Sequence, residues 1–227
     1  MQPAPEFSLS PLGDSALVLA FAPRIDPDIN HRVHAIASAL LASLGSDRVE
    51  CVPAYHTLTV HFDPMQDDFE TLSTLIVGMP EESGNALQSA RQIAIPVCYD
   101  ARLAPDLAAV AEHAGLSTET LVHLHSTADY LVYFLGFKPG FAYLGGLPAK
   151  IHTPRRPTPR TAVPAGTVGI GGAQTGVYPL MTPGGWNLIG RTPLRLFDGG
   201  SQEPALLRAG DRVTFRAINV EEFAAWR

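Results

Sequence analysis

Residues 136–192 read GFKPGFAYLGGLPAKIHTPRRPTPRTAVPAGTVGIGGAQTGVYPLMTPGGWNLIGRT, and this stretch decides how the second half of the chain folds. Twelve of its 57 residues are glycine and eight are proline. Such a density by itself would mark disorder. Yet Phe137, Phe141, Tyr143, Tyr178 and Trp186 run through it, together with Val163, Val168, Ile170, Leu188 and Ile189. Disordered segments lack apolar anchors of this kind. The stretch therefore reads as ordered backbone held in tight turns, with glycine at positive-φ positions and proline fixing φ near −65°. Bare amides beside Lys138, Arg155, Arg156, Arg160 and Arg191 suit a small anionic ligand.

Working outward, the pattern after residue 136 is short strands at 161–170, 176–181, 186–189, 193–198 and 211–218. Strands of this length between Gly/Pro turns indicate a barrel or sandwich. Before them, 91–99 is a strand carrying Pro96, which places it at an edge or bulge. Residues 105–114 form a helix closed by Gly115, Ser117 caps another over 118–124, and Thr127–Phe134 is an apolar strand.

The first third has a different grain. Residues 8–21 are strand–turn–strand about Gly13-Asp14. Asp26-Pro27-Asp28 opens a helix whose stripe is Ile29, Val33, Ile36, Ala37, Leu40 and Leu44, stopped by Gly45. Residues 48–62 make a strand or hairpin, with Leu58, Val60 and Phe62 on one face. Asp67 and Glu70 resemble a capping box for a helix with Phe69, Leu72, Leu75, Ile76 and Met79 inward and Pro80 at its end. The polar segment 81–90 is the linker. The expectation is an α+β protein: an N-terminal α/β sandwich-like domain over 1–88, and a mainly β domain over 89–227.

Bulk properties narrow the function. The 227 residues carry a net charge of −6, and 46% are hydrophobic. That balance argues against a nucleic-acid binder, which needs a basic stripe. No apolar run reaches membrane-spanning length, and MQPAPEFSLS shows no signal-peptide pattern, so a cytoplasmic protein is expected. Cys51 and Cys98 sit far apart in apolar runs and read as free thiols.

The individual motifs each allow two readings. Gly166-Thr-Val-Gly169-Ile-Gly171-Gly172 lacks the dinucleotide fingerprint, because Gln174 takes the third glycine's place. It reads as a glycine-rich β-turn or bulge, as a nest of amides for a carboxylate or phosphate, or as both at once. Pro154-Arg155-Arg156-Pro157-Thr158-Pro159-Arg160 is either a stiff guanidinium clamp or a solvated loop paired to the protein's own acids. Lys138, set between aromatics, either snorkels or offers its ammonium to an anion. Trp186 either fills core or stacks on a ligand. His123-Leu-His125 lacks a third ligand for zinc, so no metal site is expected. His125 with Asp129 is either an oriented base or a helix-end histidine held by backbone.

The motif series Ile95-Pro-Val-Cys-Tyr99, Asp106-Leu107, His125, Tyr130, GFKPGFAYL (136–144), PRRPTPR (154–160), VPAGTVGIGGAQTGVYP (163–179), PGGWNLIGRTP (183–193) and Leu196-Phe-Asp198 resembles one family. It is the 5-oxoprolinase B-subunit family, also described as allophanate hydrolase subunit 1 and as a sporulation-kinase inhibitor, with carboxyltransferase-like domains. The resemblance implies a C-terminal cyclophilin-like β-barrel. It implies partners, homologues of 5-oxoprolinase subunits C and A, and ATP-dependent opening of 5-oxoproline to glutamate. ATP, with magnesium, is the implied cofactor, its site on this chain or shared with a partner. It leaves open a binding module that blocks a histidine kinase, and a component of a urea or allophanate system. On residue chemistry, His125 as proton carrier and Lys138 are the catalytic candidates. Arg155, Arg160, Arg191, Gly169, Gly171, Gly172 and Gln174 are the substrate- and anion-binding candidates.

Overall fold

A computed structural model of the chain describes residues 6–79 and 91–226. The chain divides into two compact units, Met1–Gln88 and Ser89–Arg227. The expected linker 81–90 and the helix stop at Pro80 lie outside the described residues.

In the first unit, β1 (Ser8–Pro11), β2 (Ala16–Ala20), β3 (Val49–Pro53) and β4 (Thr57–Phe62) form an antiparallel sheet in the order β1-β2-β4-β3. Helices α1 (Pro27–Leu44) and α2 (Phe69–Val77) supply the other layer of its core. The period-2 pattern of β4 buries Leu58, Val60 and Phe62 against Val33 and Leu40 of α1 and Leu72 of α2. Asp26 caps α1 as its sequence suggests, accepting from the Asp28 and Ile29 amides. For α2 the cap is Asp68 rather than Asp67. Asp68 accepts from the Thr71 amide, while Asp67 is buried in an ion pair with Arg48.

The second unit is a closed barrel. Its strands are β5 (Gln92–Cys98), β6 (Tyr130–Leu135), β7 (Ala142–Gly145), β9 (Thr167–Gly171), β10 (Gln174–Val177), β12 (Asn187–Arg191) and β13 (Arg212–Ile218), in the order β10-β7-β6-β13-β5-β12-β9. Only β5 and β13 run parallel. Pairing of β5 with β12 is confined to Cys98 and Arg191, so Pro96 lies where one edge of its strand is largely unpaired. A separate two-stranded sheet joins β8 (Arg160–Val163) to β11 (Thr182–Gly184). The single strand expected over 161–170 is thus broken between β8 and β9. Pro164 has no amide hydrogen to donate, and Gly166 sits at φ 80°. The strand expected over 193–198 is irregular chain with one bridge, Phe197 to Ala205; Leu196 still anchors it in the core. Helices α3 (Leu107–Ala114) and α4 (Thr118–Thr127) flank the barrel, and α5 (Val220–Ala225) follows β13. An Asn219–Glu222 capping box opens α5.

Inside the barrel, α4 inserts His125, which is fully buried. Its ring stacks on Phe215 at a centroid distance of 4.6 Å. Nδ1 lies 2.8 Å from the Tyr99 hydroxyl and Nε2 lies 3.0 Å from Thr175 Oγ1. Thr175 donates its hydroxyl hydrogen to the Gly169 carbonyl, so it accepts from Nε2–H, and Nδ1 accepts from Tyr99. One neutral tautomer satisfies every partner. Burial lowers the imidazole pKa to about 3, from an ordinary value of 6.5.

This burial makes stability depend on pH. The unfolded chain binds one more proton than the folded chain between those two values, so His125 stabilises the barrel fully above about pH 6.5. That contribution is lost as pH falls, by up to about 1.4 kcal/mol per pH unit. Urea melts between about pH 4 and 7 are expected to show the slope, and His125→Gln to flatten it; an unchanged slope in the variant would refute the assignment.

Candidate functional site

On the face of β7, β9 and β12 that alternates with the barrel core, a second apolar cluster forms from Phe141, Val163, Tyr178, Trp186 and Leu188, with Tyr143 against it. Rings meet edge to face here, Phe141 with Trp186 at 5.6 Å and with Tyr178 at 5.5 Å. Beside this cluster lies a cavity of about 290 Å³ whose wall includes Phe137, Tyr143, Arg155, Arg156, Gly185 and Trp186. An aromatic box with a few cations at its mouth has the composition of a small-molecule site.

The sequence builds this wall by omission. A Cβ at Gly171 would fall 2.5 Å from the Trp186 indole Cδ1 and Nε1, and one at Gly169 would fall 3.2 Å from Trp186 Cβ. These glycines clear space for the indole. They do not form the amide nest that the motif allowed: β9 is hydrogen-bonded to β10 and β12. The Gly172 amide donates to the Thr153 carbonyl at 2.7 Å. Gly172, at φ 68°, makes the turn of the β9–β10 hairpin. The strand and turn reading of this motif is the one that the backbone bonds show.

The expected cations separate into three groups. Arg155 lines the cavity, with its guanidinium carbon 5.8 Å from the Trp186 ring centroid. It makes a long 3.5 Å contact to the Gln174 amide oxygen, which brings Gln174 to the same rim. Arg156 and Arg160 are both paired with buried Asp106, at 3.2 and 2.8 Å. Here the reading of a loop paired to its own acids holds for two arginines of three. Arg191 is elsewhere. Its Nε donates to the Ala165 carbonyl at 2.9 Å, and it lines a different cavity with Arg195 and Trp226.

Lys138 is exposed at the tip of the β6–β7 hairpin. Its neighbour Phe137 has φ 67°, the one non-glycine residue at positive φ among the described residues. The Lys138 amide bonds back to the Gly136 carbonyl at 2.8 Å. This closes a γ-turn of the rare, strained kind around a residue that lines the cavity. Sequence reasoning missed Phe137 as a site residue, because nothing in the sequence marks a phenylalanine for the left-handed region. His125 is not part of this site. It is buried in the barrel interior, and Asp129, its supposed orienting acid, pairs with Arg212 instead. A neutral imidazole with both nitrogens occupied has no proton to exchange with a ligand. Among the described residues no group of three or more His, Cys, Asp or Glu side chains is placed to hold a metal ion. Cys51 and Cys98 are free, and burial raises the Cys51 thiol to about 11.

Because Gly171 seats the indole, Gly171→Ala is expected to destabilise the second unit by about 1–3 kcal/mol. It should also red-shift the Trp186 emission. Chemical denaturation followed by fluorescence checks both, and a variant as stable as wild type would mean that the indole needs no bare backbone beneath it.

Residues 7–207 match the family described as carboxyltransferase domain, subdomain C and D. The chain is 40% identical to the 5-oxoprolinase B-subunit of Bacillus subtilis (strain 168), over 97% of each chain. It is 47% identical to the protein of that name from Escherichia coli O157:H7, over 90% of this chain and 93% of that one. Among solved structures, TTHA0988 matches with a TM-score of 0.79 at 39% identity, over 91% of this chain. This chain spans only 40% of the length of TTHA0988. The Kluyveromyces lactis urea carboxylase shares the fold, with a TM-score of 0.77 at 18% identity, over 96% of this chain and 22% of that one. With relatives this similar over nearly their whole length, the chain belongs to the 5-oxoprolinase B-subunit family.

Proposed function

We propose that this chain is the B-subunit of an ATP-dependent 5-oxoprolinase. It acts in the cytoplasm with homologues of subunits A and C to open 5-oxo-L-proline to L-glutamate. The observation that carries this reading is the identity of 40% and 47% to two proteins named as 5-oxoprolinase B-subunits, across almost the full length of each. The sequence likeness to a urea amidolyase reaches only 28% of this chain and 4% of that one, and the urea carboxylase that shares the fold is 18% identical, so the urea-system alternative rests on distant relatives.

The cavity supports the same reading on chemistry. 5-Oxoproline is a small, flat lactam ring bearing one carboxylate. Its ring matches the faces of Trp186 and Tyr143, and its carboxylate matches the guanidinium of Arg155. Lys138, exposed and next in sequence to Phe137 of the cavity wall, is a second candidate cation for the carboxylate. Gln174 is in reach of the same guanidinium and offers an amide to the lactam. At about 290 Å³ the cavity lies at the small end of ligand sites, which suits one ring rather than a nucleoside triphosphate. We therefore assign this cavity to the lactam rather than to ATP.

The role of this chain is then to bind and orient the lactam. An amide in an unstrained ring is a poor electrophile, so activation of its carbonyl oxygen must be coupled to ATP hydrolysis. Holding the ring in apolar surroundings and the carboxylate fixed supplies part of the barrier reduction through positioning.

The complex assembled from the three subunits is expected to hydrolyse ATP in a 5-oxoproline-dependent manner. Arg155→Ala should raise the KM for 5-oxoproline about ten- to a hundredfold, the value of one charged hydrogen-bond pair. Steady-state ATPase assays check this. If Arg155→Ala and Lys138→Ala both leave the 5-oxoproline dependence unchanged, the cavity is not the substrate site.

A further inference from the structure

Asp106 is the residue before helix α3, the position where an aspartate ordinarily caps its own helix. Here it makes no side-chain cap bond. The carboxylate turns away instead and is buried, with 8% of its side chain exposed. Oδ1 accepts from Arg156 Nη1 at 3.2 Å and from Arg160 Nη2 at 2.8 Å. Oδ2 accepts from the Leu188 amide at 2.7 Å, and the Asp106 amide donates to the Leu188 carbonyl at 2.9 Å. One side chain thus ties the start of α3 to the arginine loop and to β12.

Other bonds fasten the same loop on either side of Arg155. Asn187 Nδ2 donates to the Pro154 carbonyl at 2.9 Å. The Arg156 amide donates to the Gly185 carbonyl at 2.7 Å. Residues 154, 156 and 160 are therefore each held, to the segment that also carries Trp186 or to Asp106. Arg155 alone sends its guanidinium over the indole. Three guanidiniums within six residues repel one another; Asp106 pairs with two of them and offsets one unit of their charge. Arg160 Nη1 stays buried with no hydrogen-bond partner among the described residues. A site tuned for stability alone would not keep both an unused cap and an unused donor.

We propose that Asp106 is a positioning residue: by holding Arg156 and Arg160 it fixes the loop so that Arg155 stands over Trp186, ready to receive the carboxylate of the ligand. The kinetic part of this proposal rests on the functional reading above; the geometric part does not.

The test is a double-mutant cycle in the assembled complex. Asp106→Asn is expected to raise the KM for 5-oxoproline about tenfold with kcat little changed, the pattern of lost uniform binding. In an Arg155→Ala background the same substitution should have no further effect on KM. Multiplying effects, or a fall in kcat without a rise in KM, would overturn the proposal. Should Asp106→Asn fail to unfold cooperatively, Arg160→Met, which keeps length and loses the guanidinium, takes its place with the same expectations. A second readout uses the subunit without substrate. The chain has two tryptophans, so Trp226→Phe leaves Trp186 as the reporter. Arg155→Ala should change Trp186 emission, and Asp106→Asn should change it in the same sense and not add to it. Should the complex show no 5-oxoproline-dependent ATP hydrolysis, the functional reading falls and the emission cycle still decides the role of Asp106. Should the complex be active and both cycles show independent effects, the functional reading stands and the positioning role falls.

Discussion

The indole of Trp186 packs against strand β9 where Gly169 and Gly171 present no side chain, and the cavity depends on that seat. Any Cβ at 171 would enter the ring. With the indole in place, Phe141 and Tyr178 can meet it edge to face, and its outer surface is left for the guanidinium of Arg155. The arginine loop is then laid against the same segment through the Gly185 carbonyl and the Asn187 side chain. An aromatic box, a cation above it and an anchored arginine loop follow from the absence of two methyl-sized groups.

That constraint explains what the sequence revealed and what it hid. The glycine and proline density of 136–192, threaded with aromatics, correctly announced short strands and tight turns, because φ limits act locally and are written residue by residue. The helix stripe from Ile29 to Leu44 and the alternation of Leu58, Val60 and Phe62 were legible for the same reason. The purpose of the glycines was not legible. A bare backbone that makes room for an indole and one that offers amides to an anion have the same sequence. Only the pairing of β9 on both sides separates them.

The arginines divide along the same line. Their planar heads and stiff backbone were visible in PRRPTPR, and one of the three does face the cavity with no acid paired to it among the described residues. Which one could not be read, because the acid that claims the other two lies about fifty residues earlier, at Asp106. His125 shows the converse. Its pairing with Asp129 was inferred from spacing, whereas the partners it has, Tyr99 and Thr175, come from the end of β5 and from β10. Burial of this kind is a tertiary property, and a buried neutral imidazole has its pKa lowered until it ceases to be a base.

Taken together, these features separate a closed interior from an adjustable rim. The interior gives every polar atom of His125 and Thr175 a partner, which holds α4 and the strands in one arrangement. At the rim, Phe137 is strained and more than half-exposed, Lys138 is open to solvent, and Arg155 has only a distant ring and a long amide contact. Groups so lightly held can change partner at little cost, and elements that bind ligands are drawn from such low-stability regions. The contrast with Arg156 and Arg160, a few residues away and clamped to a buried carboxylate, is what gives Arg155 a defined starting position without committing its charge. A defined starting position and an uncommitted charge are two separate properties. The barrel supplies the first through Asp106, and the second because no acid among the described residues pairs with Arg155.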